Sequence, residues 1–126
     1  RSYRRWLDLI FTFAGTQSLW RDTKPVGRKA FQAGDTLLQG GSPGHAVVIL
    51  DMAKNNDGHI VGLIGQGFMP AEDFHVLEDR GPHVINGVWF KLPERLDTPI
   101  PTPSWPDPFT RRQARRFKLP PGIQAR

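Results

Sequence analysis

Two hydrophobic periods divide the chain. Between residues 2 and 14 the apolar side chains Tyr3, Trp6, Leu7, Ile10, Phe11 and Ala14 return every three or four positions, the spacing of one helical face. Arg4, Arg5 and Asp8 fall on the other side, Ser2 stands at the N-cap position, and Gly15 stands where a glycine ends a helix. After Pro25 the period shortens. Segments 35–39, 46–53, 59–66, 74–77 and 87–92 read as five short strands, separated by Gly40-Gly41-Ser42-Pro43-Gly44, Asn55-Asn56-Asp57-Gly58, Met69-Pro70 and Gly81-Pro82. Ala46-Val47-Val48-Ile49-Leu50 is apolar at every position, as in a strand covered on both faces. The connections are too short for parallel crossovers, so the pairing is expected to be antiparallel. The pattern predicts an α+β domain, with an N-terminal helix packed on a small five-stranded antiparallel sheet.

From Pro93 the pattern changes again. Eight of the 12 prolines lie between Pro93 and Pro121, and a residue without an N–H cannot sit centrally in a sheet. Residues 1–92 are therefore read as the domain and 93–126 as a Pro-rich, extended C-terminal tail, pinned by Trp105 and Phe109, with a short basic helix over 110–118. The net charge of +5 changes meaning once it is located. Arg111, Arg112, Arg115, Arg116, Lys118 and Arg126 stand in a stretch without one acid; the 17 basic residues less these six leave 11 against 12 acidic ones. A near-neutral body argues against specific nucleic-acid binding. What remains is a weak contact with an anionic surface through Arg111, Arg112, Arg115 and Arg116. No apolar run approaches the roughly 18 residues of a spanning helix, so no transmembrane segment is expected.

Candidate chemistry centres on His45. A histidine at the mouth of an apolar strand, entered through a glycine-rich loop, has a rigid base beneath it and an open approach above, which suits a general base. Gly41, Ser42 and Gly44 are candidate substrate-loop positions, since glycine lets a second backbone come close. If 46–53 and 59–66 pair across a loop of about five residues, Gln66 comes opposite His45 or Ala46 and can orient the imidazole; a tight turn at Asp57-Gly58 would move it opposite Ile49. Other groups carry less. His59, His75 and His83 lack metal-site spacing, no helix follows Gly62, Gly65 and Gly67 to make a phosphate loop, and the absence of cysteine excludes disulfides and zinc-thiolate sites. No metal or cofactor is expected.

The stretches Gly40-Gly41-Ser42-Pro43-Gly44-His45-Ala46-Val47 and Gln66-Gly67-Phe68-Met69-Pro70-Ala71-Glu72-Asp73-Phe74-His75-Val76-Leu77, with Tyr3-Arg4-Arg5-Trp6-Leu7-Asp8, resemble the bacterial family called domain of unknown function 4846. More distantly, the order Gly-Asp, strand, glycine loop, Gly-His, apolar strand resembles the second half of NlpC-type, papain-like cell-wall cysteine peptidases. That resemblance implies part of a papain-like fold, with His45 as base, Gln66 as its orienter and a catalytic cysteine upstream of Arg1. It implies an amide-bond hydrolase with a peptide or cell-wall ligand in the cell envelope, and this chain, having no thiol, would be inactive alone. The alternative is a non-catalytic ligand-binding module of the same fold.

Overall fold

The computed structural model describes residues 20–39, 45–66, 75–103 and 105–118. The helix expected over 2–14 lies outside them. Within them ten strands follow one another: β1 (Thr23–Pro25), β2 (Thr36–Gln39), β3 (His45–Lys54), β4 (Ile60–Gln66), β5 (His75–Val76), β6 (Val84–Ile85), β7 (Trp89–Lys91), β8 (Ile100–Thr102), β9 (Trp105–Phe109) and β10 (Ala114–Phe117). Eight form one antiparallel sheet in the order β1-β10-β2-β3-β4-β7-β6, with β5 also paired to β4; β8 and β9 form a separate two-stranded sheet.

The fold class is thus mostly β, and the expectation of a papain-like α+β domain with five strands and an extended tail is corrected. Only 7% of the described residues are helical. The five expected strands correspond to β2, β3, β4, β5 and β7, but the sheet does not stop there. Residues 111–113 make one 3-10 turn and 114–117 a strand, where a basic helix was expected. The physical reason is that β1 and β2 do not pair with each other. β10 fills the space between them, pairing Thr23 with Phe117 on one side and Leu37 with Ala114 on the other. Without it two rows of backbone donors and acceptors would be unpaired, a cost that overrides the helix preference of Arg115 and Arg116. Pro101, Pro106 and Pro108 fall where the hydrogen-bonding rule allows, in the two edge strands of the small β8–β9 sheet.

The core lies on one face of the large sheet. Leu37, Val47, Ile49, Ile64, Phe90 and Ala114 are buried together with Ile100 and Phe109 from the β8–β9 sheet. Along β3 the core positions Val47 and Ile49 are two residues apart, but the next, Met52, is three further on. The register explains the skip: Ile49 pairs with Ile64 whereas Asp51 pairs with Leu63, so Leu50 is an extra residue, a β-bulge. Opposite Met52, Gly62 leaves room for its neighbours; a Cβ there would come within 2.9 Å of a Leu92 methyl and 3.4 Å of Ile49. Leu38, Ala46 and Val48 alternate onto the opposite face and are also buried, so this part of β3 is covered on both sides.

Asp35 fastens the C-terminal strand to the body. Its side chain is 1% exposed and accepts hydrogen bonds from Arg116 Nε and a second guanidinium nitrogen at 2.8 and 3.0 Å, and from the Gln32 backbone N–H at 2.8 Å. Its backbone C=O accepts from Ile49 N–H at 2.8 Å, so one residue ties β10 to β3. Arg116→Ala would leave a buried carboxylate without its cation, and the expected loss of stability is about 3–5 kcal/mol. Urea unfolding measures it. A loss below about 1 kcal/mol, the scale of a surface ion pair, would show that this pair does not hold β10 in place.

Candidate active site

The site begins with the phase of β3. Val48 pairs with Gly65, so one further step sets Gln66 across from Val47. Val47 and His45 share a face, since strand side chains alternate, and Gln66 therefore lies diagonally beside His45. This position falls between the two registers expected from the sequence, one residue from Ala46 and two from Ile49. The bulge is decisive. With the register of the Lys54–Ile60 end continued unbroken, Gln66 would face Val48 and point to the other side of the sheet.

The two side chains meet. His45 Nε2 and Gln66 Oε1 are 2.9 Å apart, and both residues are buried, at 9% and 1% exposure. An amide oxygen can only accept, so Nε2 carries the proton and donates it to Oε1. In the neutral ring this leaves the lone pair on Nδ1, the atom that accepts a proton in general-base chemistry. Burial holds the imidazole below its ordinary value of 6.5, with the Gln66 hydrogen bond pulling in the opposite direction. The ring is consequently neutral at pH 7.

Trp105 and Phe109 fix the plane of the ring. The Trp105 ring stacks on His45 with centroids 4.4 Å apart and planes 18° apart, and Phe109 lies at 5.8 Å. Gln39, the cross-strand partner of His45, holds this cover in place. Its Oε1 accepts from Trp105 Nε1–H at 2.7 Å, and its Nε2 donates to the Pro108 and Asp107 carbonyls at 3.1 and 3.3 Å. Gln113 joins the same network, accepting from Gln39 at 3.4 Å and from the Thr110 N–H at 2.9 Å. The pinning of the proline segment by Trp105 and Phe109 thus takes the form of stacking on His45. Gln39 had no sequence signal beyond being a polar residue at the end of an apolar strand.

The remaining expected site residues fall elsewhere. Gly41, Ser42 and Gly44 lie outside the described residues. His83 pairs with Asp79 at 3.0 Å, in a surface loop. The four tail arginines all have partners within the chain. Arg111 donates to the carbonyls of Lys29 and Pro93 and lies 4.1 Å over the Phe31 ring; Arg112 pairs with Asp97; Arg115 donates to Thr23; Arg116 holds Asp35. No helix among the described residues is long and apolar enough to cross a membrane.

A buried neutral imidazole makes stability depend on pH. The unfolded chain binds a proton at His45 more readily than the folded chain, so this contribution is complete above pH 6.5 and is lost as the pH falls below 6.5 towards the lower folded value. His45→Gln removes the titrating group while keeping a polar side chain. Chemical unfolding of both proteins from about pH 8 to pH 5 should show wild type losing stability relative to the variant only in the acid half of the range. A gap that is constant, or that widens in favour of wild type in acid, would contradict a depressed His45.

Comparison with known proteins gives one match. The family described as domain of unknown function (4846) matches residues 1–116. No curated protein and no solved structure matches, and the likeness to papain-like peptidases finds no support in these comparisons. The matched span includes both His45 and Gln66 and runs through β10 as far as Arg116, and the chain belongs to the domain of unknown function 4846 family.

Proposed function

We propose that this domain supplies the base and the orienting amide of a cysteine hydrolase acting on amide bonds of a peptide or cell-wall type, with the thiol contributed from outside these 126 residues. The observation that carries the reading is the buried 2.9 Å contact of His45 Nε2 with Gln66 Oε1. It fixes the tautomer, so that Nδ1 is the basic atom, and it fixes the ring plane. A neutral amide is well suited to this task. It stabilises the imidazolium that forms when a thiol gives up its proton, yet leaves no buried carboxylate when the ring is neutral. A thiolate placed beside Nδ1 would offset the burial that otherwise disfavours the cation, and the ion pair is the nucleophile. His45 then returns the proton to the leaving amine.

A second reading is a binding module in which the same polar pair recognises a ligand. It is favoured by the cover over the ring: Trp105 and Phe109 stack on His45, and the 126 residues hold no cysteine.

The two readings separate in a protein that carries this domain together with the proposed thiol. The chain alone should hydrolyse no amide substrate. A protein that joins this domain to the proposed thiol should carry a cysteine that iodoacetamide alkylates with loss of activity, and His45→Ala in it should lower turnover by about 10²–10⁴-fold. Gln66→Ala should lower turnover while the protein stays folded by circular dichroism. Absence of such a cysteine, or full activity after His45→Ala, would exclude the hydrolase. Ligand binding lost in His45→Ala without any turnover in wild type would establish the binding module.

A further inference from the structure

A cleft that shares no lining residue with the His45–Gln66 pair offers a candidate independent of the hydrolase reading. An open cleft of about 560 Å³ is lined by Arg28, Arg95, Asp97, Thr98 and Arg112, among others. These residues come from three separate segments: the loop after β1, the loop between β7 and β8, and the 3-10 turn before β10. One buried side chain gathers them. Arg111 is 6% exposed, and its guanidinium donates to the carbonyls of Lys29 and Pro93. Arg28 is the chain neighbour of Lys29, Arg95 lies two residues after Pro93, and Arg112 follows Arg111. The buried staple thus delivers three further arginines to one cleft.

The charges in the cleft do not balance. Asp97 is hydrogen-bonded to Arg112, and it also feels the charge of Arg95. Arg28 and Arg95 are exposed, and no hydrogen bond holds either guanidinium among the described residues. Three guanidiniums against one carboxylate leave an excess of two positive charges on a body that is otherwise near neutral. Cations assembled from three segments repel one another, and a bound anion relieves that repulsion.

We propose that this cleft binds a phosphate dianion, free or as a phosphomonoester group. The stoichiometry of charge points to a dianion. A tetrahedral phosphate also presents three or four oxygens in different directions, matching guanidinium forks that arrive from three segments. A carboxylate brings one charge and two coplanar oxygens, enough for a single fork. The Thr98 hydroxyl adds a neutral donor to the lining. A localised cleft rather than an extended basic stripe favours one phosphoryl group over a nucleic-acid backbone.

The test is titration of the isotope-labelled 126-residue chain with inorganic phosphate at low salt, following backbone and arginine Nε–H resonances, against sodium chloride of equal ionic strength. Phosphate should produce saturable one-to-one shifts at Arg28, Arg95 and Arg112, and chloride should not. Arg28→Ala and Arg95→Ala remove exposed side chains that hold nothing in place, so both should fold normally. Each should weaken binding about tenfold, the loss expected for one charge-assisted contact. Asp97→Asn removes the competing carboxylate and should tighten binding. Glycerol phosphate and vesicles containing phosphatidic acid, at matched phosphoryl concentration, distinguish a soluble phosphomonoester from a lipid one. Shifts that chloride reproduces, or phosphate binding unchanged in both arginine variants, would overturn the proposal.

Discussion

The phase of the β3–β4 pairing is the constraint on which the rest depends. A strand has a period of two, so any single-residue slip moves a side chain to the opposite face. Leu50 is such a slip, built into the native register between Ile49 and Asp51. On one side of it Val47 and Ile49 point into the core, and on the other Met52 does; Ile60 and Ile64 keep an uninterrupted alternation on β4. The bulge therefore lets two strands joined by a five-residue loop share one apolar face along their whole length. The same slip brings Gln66 to the side where His45 stands, so core packing and the polar pair are decided by one extra residue.

The C-terminal third of the chain completes that arrangement. Without β9 the His45 ring would lack its stacking partners, and without β10 the strands β1 and β2 would each lose a neighbour. The connections back to the body are mainly polar and partly charged: Asp35 with Arg116, Thr23 with Arg115, Gln39 with Trp105, Arg111 with two carbonyls. In the proline stretch, where N–H donors are few, the link is the Gln39 side chain to Trp105 and to the Asp107 and Pro108 carbonyls. By contrast β10, which holds no proline, also pairs through its backbone with β1 and β2. Arg111, Arg115 and Arg116, part of the positive cluster seen in the sequence, take part in this internal fastening.

Some of this was legible in the sequence and some was not. The turn residues marked the breaks, and β2, β3, β4, β5 and β7 lie close to where alternation and turn chemistry put them. Loop length narrowed the position of Gln66 to a few residues of β3, between His45 and Ile49, but its meeting with His45 depends on the bulge. The bulge left no trace, because Ala46 to Leu50 is apolar throughout and an uninterrupted apolar run has no phase to break. β10 was hidden for a different reason. Ala114, Arg115 and Arg116 favour a helix locally, and only the gap between β1 and β2, 75 or more residues earlier in the chain, makes a strand of them. Contacts over that separation leave no local signature. The papain-like expectation took the order Gly-Asp, glycine loop, His and apolar strand as a mark of fold, whereas His45 and the apolar strand it opens belong to an eight-stranded sheet.

The central claim concerns one proton: His45 is a neutral imidazole protonated on Nε2, held by Gln66 and basic at Nδ1. Long-range proton–nitrogen correlation of the labelled chain at pH 7 reads this directly, because the two ring nitrogens differ sharply in shift between protonated and lone-pair forms. The account predicts a protonated Nε2 and an unprotonated Nδ1 at His45, with the assignment blurred by Gln66→Leu and preserved in Arg28→Ala. A protonated Nδ1, or a ring charged at both nitrogens at pH 7, would contradict it.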